Sequence, residues 1–157
     1  MLRLTNYQIS EKLHESANSI VYRGTRGEDN LPVILKVLRD QYPSPEKIAW
    51  FKREYEVTRQ LDIAEVVDVY AIEEDQHRWL MVLEDFGGSS LAQLALAGEL
   101  DIDAFFRLAI KLCDVLGAVH ARRIIHKDIN PANIVFNPET GPQPPVPELQ
   151  SSANYYN

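Results

Sequence analysis

Residues 124–136 read Ile-Ile-His-Lys-Asp-Ile-Asn-Pro-Ala-Asn-Ile-Val-Phe. A short polar loop therefore lies between two apolar anchors, and it carries Asp128 and Asn133 five residues apart. Phosphoryl transfer uses such a pair, because a carboxylate orients a hydroxyl nucleophile and accepts its proton while an amide oxygen holds Mg²⁺. Asn and Asp are also common turn residues. The loop alone therefore leaves a chemical and a structural interpretation open.

On the N-terminal side of this loop, apolar residues alternate with polar ones, which is the pattern of half-buried β-strands. Ser44 and Pro45 provide an N-cap and a first-turn proline for a helix that interrupts the strands. The pattern predicts strands at 7–14, 19–26 and 32–38, a helix from 45 to about 61, and strands at 66–73 and 79–85.

After residue 86 the pattern becomes helical. A short helix is predicted over 91–97, and a long one runs from a cap at Asp101 or Asp103 to about residue 122. Apolar side chains recur on the long helix every three or four residues, so it should bury one face, with Cys113 in the core. Five of the nine prolines fall within the last twenty residues. That composition predicts a disordered tail over 138–157.

The length and composition exclude several classes of protein. A chain of 157 residues, 45% hydrophobic and 25% charged, can build one globular domain with a core. A formal net charge of −7 argues against nucleic acid as a partner, and no apolar run approaches the roughly 18 residues of a membrane span. A single cysteine excludes an intramolecular disulfide framework. We therefore expect a cytoplasmic protein with no membrane partner.

The polar loop resembles the catalytic loop of protein kinases, His-Arg-Asp-x-x-x-x-Asn, with Lys127 in the Arg position. Other blocks occur in the family's order. Residues 33–36, Val-Ile-Leu-Lys, resemble the family's Val-Ala-Ile-Lys, and Glu54 lies on the helix that follows. Residues 81–88, Met-Val-Leu-Glu-Asp-Phe-Gly-Gly, resemble the fifth strand and the hinge. The chain thus resembles a protein kinase domain of the serine/threonine type, similar to bacterial signalling kinases.

This resemblance covers about residues 7–137 and implies an α+β fold. An antiparallel sheet lobe with one helix is expected over about 7–86. The first helices and the catalytic loop of an incomplete helical lobe are expected over 87–137.

The resemblance also implies site residues, with ATP and Mg²⁺ as cofactors and a protein hydroxyl as acceptor. Asp128 would be the catalytic base and Asn133 a Mg²⁺ ligand, while Lys36, paired with Glu54, would contact the α- and β-phosphates. The residues expected to bind the nucleotide are Leu13, Ser16, Ser19, Val21, Ile34, Lys36, Leu83, Glu84, Phe86 and Val135.

Three departures from the family pattern bear on activity. His14, Ser16 and Ser19 occupy the glycine positions of the phosphate-covering loop, and Asn130 stands where serine/threonine kinases carry Lys. No Asp-Phe-Gly follows Asn133. These departures predict a truncated domain with weak or no activity. The alternatives are a non-catalytic, pseudokinase-like binding module and a decayed gene product.

Overall fold

The computed structural model describes residues 2–61, 63–94, 101–125 and 129–137, and the backbone of 141–143. The chain divides into two units. Unit 1 comprises Met1–Glu56 and Asp68–Asp85, and unit 2 comprises Val57–Val67 and Phe86–Asn157. The first elements along the chain are β1 (Tyr7–Glu15), β2 (Ser19–Arg26), β3 (Pro32–Leu38), α1 (Pro45–Arg59), β4 (Val69–Asp75) and β5 (Arg78–Glu84).

Unit 1 is an antiparallel five-stranded sheet in the order β1-β2-β3-β5-β4. Its central strand β3 is rich in β-branched residues, and Val33 and Leu35 are fully buried. The two-residue turn between β4 and β5 is formed by Gln76 and His77, both with positive φ, as a tight hairpin requires. The buried cluster on one face comprises Leu4, Tyr7, Val33, Leu35, Val37, Leu80 and Val82.

The sheet curls so that its two outer strands meet at one end. The Tyr7 hydroxyl of β1 donates to Glu73 Oε1 of β4 at 2.9 Å, and Thr5 Oγ1 donates to Asp75 Oδ1 at 2.8 Å. Burial, and then the bond to Glu73, raise the pKa of Tyr7 well above its ordinary value. Strand twist thus brings together side chains from strands that are not neighbours in the sheet.

Unit 2 is built around a long helix. Asp101 caps it by accepting a bond from the Ala104 amide at 2.7 Å. Within unit 2, Leu61 and Val66 are buried with Val115 and Val119 of that helix. The elements after residue 86 are β6 (Ser89–Ser90), α2 (Leu91–Leu94), α3 (Ile102–Ala121), a 3₁₀ turn (Pro131–Asn133), β7 (Val135–Asn137) and β8 (Gly141–Gln143).

The three short strands form an antiparallel sheet in the order β6-β7-β8. Lys111 of α3 also donates to Glu65 in the segment that precedes β4, and this bond lowers the pKa of Glu65. Among the described residues, no helix combines the length and apolarity needed to cross a bilayer.

The predicted α+β fold is confirmed, and β2 and β3 have the predicted bounds. The helix predicted to about 61 ends at Arg59. The strand predicted at 66–73 begins instead at Val69, because Val66 is buried in the cluster of unit 2. The strand predicted at 79–85 runs one residue earlier, from Arg78 to Glu84.

Other differences lie after residue 86. Cys113 is exposed rather than buried, since the helix buries the face carrying Val115 and Val119 and leaves Phe105 51% exposed. Of the helix predicted at 91–97, the structure describes Leu91–Leu94, and residues 95–97 lie outside the described residues.

Three residues of the predicted tail form a short strand. Gly141–Gln143, within the stretch expected to be disordered, pairs as β8 with β7. Residues 138–140 and 144–157 lie outside the described residues.

The division of the chain also differs from two consecutive lobes. The sequence places 57–67 in the sheet lobe, but these residues belong to unit 2. The physical reason is that Leu61 and Val66 pack with α3.

Candidate functional site

A buried ion pair joins the middle of the sheet to α1. Lys36 lies on β3 between Val21 of β2 and Met81 of β5, and its Nζ donates to Glu54 Oε1 at 2.6 Å. Lys36 is 8% exposed and Glu54 is 5% exposed. Buried charges require partners, so the carboxylate on α1 fixes the ammonium on the sheet. An ammonium held in this way is a point charge suited to a phosphate.

Three of the residues predicted to bind nucleotide share a sheet face with Lys36. Directly opposite residues on neighbouring strands lie on one face, and Val21 lies opposite Lys36. Ile34, two residues before Lys36 on β3, also points to this face, and Leu83 lies opposite Ile34. Leu83 is buried, whereas Val21 and Ile34 are half-buried. The structure therefore brings these apolar side chains and the ammonium to one surface of unit 1.

Leu13 and Glu84 lie at less regular positions. Leu13 is half-buried on β1, at a register shift between Lys12 and His14. Glu84 ends β5, and its amide donates to the Asp68 carbonyl at 2.9 Å.

The turn between β1 and β2, where the kinase resemblance expects glycines, is held by serine side chains. The Ser16 amide donates to the Ser19 carbonyl at 2.8 Å, and the Ser19 amide donates to Ser16 Oγ at 3.1 Å. The two hydroxyl oxygens are 3.2 Å apart and hydrogen-bonded, and Ser19 is buried. Both hydroxyls are thus engaged within the turn itself, in a place where glycines would leave only backbone amides.

An ion pair that sequence reasoning missed fixes the residue after β5. Arg23 Nε of β2 donates to Asp85 Oδ2 at 2.8 Å, and Arg23 Nη2 lies 3.4 Å from Asp85 Oδ1. The Asp85 side chain is 6% exposed, so this bidentate pair is largely shielded from water. No local pattern could reveal the contact, because 62 residues separate the partners.

In unit 2, Phe86 is held by a second contact that the sequence did not reveal. Asn137 Nδ2 of β7 donates to the Phe86 carbonyl oxygen at 2.7 Å, and Asn137 is 9% exposed. Gly87 has a φ of 75°, which only glycine adopts readily. A Cβ at Gly88 would lie 2.5 Å from the Phe86 ring and 2.7 Å from Val135 Cγ1. The segment from Phe86 to Gly88 therefore packs tightly against β7.

The loop with the predicted catalytic residues is described only in part. Asp128 lies outside the described residues. Asn130 Oδ1 accepts bonds from the amides of Ala132 at 2.9 Å and Asn133 at 3.2 Å, and so caps the 3₁₀ turn that carries Asn133. The described part of the chain contains no group of three or more His, Cys, Asp or Glu residues that could hold a metal. Asn133 is therefore the metal-ligand candidate whose placement the structure gives.

Comparison with known proteins identifies the family. A family model for the protein kinase domain matches residues 7–143, and the chain belongs to this family. Similar proteins include a probable serine/threonine-protein kinase of Clostridium acetobutylicum, 27% identical over 131 residues. The serine/threonine-protein kinase PknL of Mycobacterium tuberculosis is 27% identical over 135 residues. The two matches cover 82% and 85% of this chain, but 20% and 34% of the respective relatives.

Solved structures with a similar fold include a protein kinase domain. A crystal structure of the Mycobacterium tuberculosis PknI kinase domain matches with a TM-score of 0.74 and 21% sequence identity. The match covers 98% of this chain and 62% of that domain. The predicted recognition of a protein kinase domain is thus confirmed, and the α+β architecture is that of the family.

Proposed function

We propose that this chain is the nucleotide-binding part of a serine/threonine protein kinase domain that binds MgATP in cytoplasmic signalling. The observation that carries the proposal is the 2.6 Å bond between Lys36 and Glu54. Both residues are buried on elements that the sequence assigned to them. Because a buried, paired ammonium on a sheet face is suited to phosphate, and the relatives are serine/threonine-protein kinases, ATP is the ligand that fits best.

Each charged residue has a role in this proposal. Lys36 contacts the α- and β-phosphates and Glu54 holds it in place, while Asp128 accepts the proton of the acceptor hydroxyl. Asn133 contributes one amide oxygen to Mg²⁺. A metal with few protein ligands is usually held by the phosphates it accompanies, and the described donor set fits that arrangement. Bound Mg²⁺ neutralises phosphate charge in phosphoryl transfer.

The adenine and ribose would contact mainly apolar side chains and backbone groups. Leu83 would lie behind the base, with the Glu84 carbonyl and the Phe86 amide as its hydrogen-bond partners. The remaining proposed contacts are Leu13, Val21, Ile34 and Val135 for the base, and Ser16 and Ser19 for the phosphates.

A second candidate function is nucleotide binding without turnover. The backbone amides of Ser16 and Ser19 both donate within their own turn, so they leave fewer amide donors for a triphosphate than a glycine loop would. No Asp-Phe-Gly follows Asn133 in the sequence, since the one at residues 85–87 precedes the loop. In protein kinases the Asp of the motif that follows the catalytic loop holds Mg²⁺. We propose that this polypeptide, assayed alone, transfers phosphate weakly or not at all.

Titration calorimetry with ATP, with and without Mg²⁺, tests the proposal. Lys36→Met should weaken ATP binding at least about tenfold, because it removes a charge-assisted contact worth about 1.5–3 kcal/mol. Lys47→Met is the matched control, since Lys47 forms an exposed pair with Asp40. Equal affinities for the wild type and Lys36→Met would contradict the proposal.

Radiolabel transfer to a generic protein substrate then separates the two candidates. Transfer that Asp128→Ala abolishes would favour the kinase. Binding without transfer would favour the non-catalytic module.

A further inference from the structure

Asn137 has no role in the function proposed above, yet its amide is one of the few buried polar groups in the described chain. Its Nδ2 donates to the carbonyl oxygen of Phe86 at 2.7 Å. The two residues are 51 positions apart in the chain. A buried amide that donates at this distance makes a well-formed bond, and breaking it would leave a buried donor without its acceptor.

The backbone around this carbonyl is constrained from both sides. Gly87 follows it in a left-handed conformation with φ 75°, and an added Cβ at Gly87 would lie 3.7 Å from Asn137 Nδ2. Gly88 packs so closely that a Cβ there would overlap both the Phe86 ring and Val135. The Phe86 carbonyl therefore accepts its bond from Asn137 in a closely packed segment beside β7.

The bond between Asn137 and the Phe86 carbonyl affects which purine bases residue 86 can bind. Residue 86 can offer a base one donor, its N–H, and one acceptor, its C=O. Adenine presents a 6-amino donor, the N1 acceptor and a C2–H in that order. A purine with a 2-amino group presents a further donor in place of the C2–H, and so needs an acceptor beside the N–H. In this chain the nearest such acceptor already receives the bond from Asn137.

We propose that Asn137 is a specificity-determining residue for the nucleobase. The bond from Asn137 occupies one of the two lone pairs of the Phe86 carbonyl and so competes with the ligand for this acceptor. The site therefore prefers purines without a 2-amino group. This inference rests on the proposed function, in which the Phe86 backbone contacts the base.

The wild-type chain gives the first test, by calorimetry with ATP and with the triphosphate of 2,6-diaminopurine riboside. These two ligands differ only in the 2-amino group. We expect the 2-amino ligand to bind no tighter than ATP. Binding of the 2-amino ligand about fivefold tighter, the value of one ordinary hydrogen bond, would overturn the inference without any variant.

Two variants give the second test. Asn137→Asp keeps the side-chain shape but cannot donate, and Asn137→Ala removes the amide altogether. Both free the Phe86 carbonyl, so the affinity for the 2-amino ligand relative to ATP should rise about fivefold. Asn6→Asp adds the same charge at an exposed position and should leave the ratio unchanged. A merely structural Asn137 would weaken both ligands equally and leave the ratio at its wild-type value.

The outcomes separate the two proposals. If the wild type binds ATP but the ratio stays constant in both variants, the role of Asn137 is refuted and the proposed function stands. If the wild type binds neither ligand, the proposed function fails and the inference falls with it. If neither variant folds, as judged by urea unfolding followed by circular dichroism, the wild-type ratio decides.

Discussion

Glu54→Gln removes the charge that pairs with Lys36 and keeps the shape of the side chain. The two residues are 5% and 8% exposed and 2.6 Å apart, so water cannot replace the lost carboxylate. Removing one partner of a buried ion pair costs about 3–5 kcal/mol. Because Gln still accepts a hydrogen bond, we expect a loss near the lower end, about 3 kcal/mol, in the free energy of unfolding of unit 1.

Tryptophan fluorescence during urea unfolding measures this loss. The chain has two tryptophans, Trp50 and Trp79, and both lie in unit 1. With a slope of about 1 kcal/mol per molar urea, a loss of about 3 kcal/mol lowers the midpoint by about 3 M. Lys47→Gln breaks the exposed pair with Asp40 and should cost less than about 1 kcal/mol.

A double variant tests the same ion pair. Lys36→Met with Glu54→Leu replaces the ion pair by apolar side chains, which is often neutral for stability. We expect the double variant to be more stable than Glu54→Gln, although it should not bind nucleotide. A cost below about 1 kcal/mol for Glu54→Gln, or a double variant no more stable than the single one, would refute the reasoning.

Two further predictions concern the sheet and the long helix. The pKa of Tyr7 is raised on folding, so its stabilisation is present below pH 10 and declines as the pH rises above it. Tyr7→Phe, which loses the bond to Glu73, should cost about 1 kcal/mol in the free energy of unfolding at pH 8. Urea midpoints measured from pH 8 upwards should fall more steeply for the wild type than for Tyr7→Phe. An equal fall of the midpoint in the two proteins would contradict this. Gly24→Ala places a Cβ 2.4 Å from a backbone oxygen of the neighbouring strand and should cost about 1–3 kcal/mol. Gly117→Ala, with no atom within 4 Å of its Cβ, should gain about 0.5–1 kcal/mol, and thermal melts that rank the two alike would reject the steric argument.

The sequence predicts the fold well where local pattern and burial agree. β2 and β3 have the predicted bounds because turn residues flank them and their apolar spacing is regular. The start of β4 was predicted three residues too early, at Val66 instead of Val69. Val66 is apolar because it is buried against α3, not because it belongs to the sheet. The sequence pattern alone does not identify the element against which an apolar residue will pack.

The candidate site divides in the same way. Lys36 and Glu54 were predicted as a pair because each lies in a recognisable sequence block, and the structure places them 2.6 Å apart. The contact of Asn137 with the Phe86 carbonyl could not be predicted, since one partner is a backbone group without a sequence signal. The roles proposed for the individual site residues remain predictions.

The membership of residues 57–67 in unit 2 has a consequence for biosynthesis. At about 5–20 residues per second, the ribosome needs roughly 3–10 s after Val66 to reach Val119, its partner in the cluster. During that interval β5 emerges and the five-stranded sheet can close, while Leu61 and Val66 have no α3 to cover them. We expect chaperones and nascent-chain aggregation to act first on residues 57–67. This segment stays uncovered after the strands that precede and follow it in the sequence have formed the sheet.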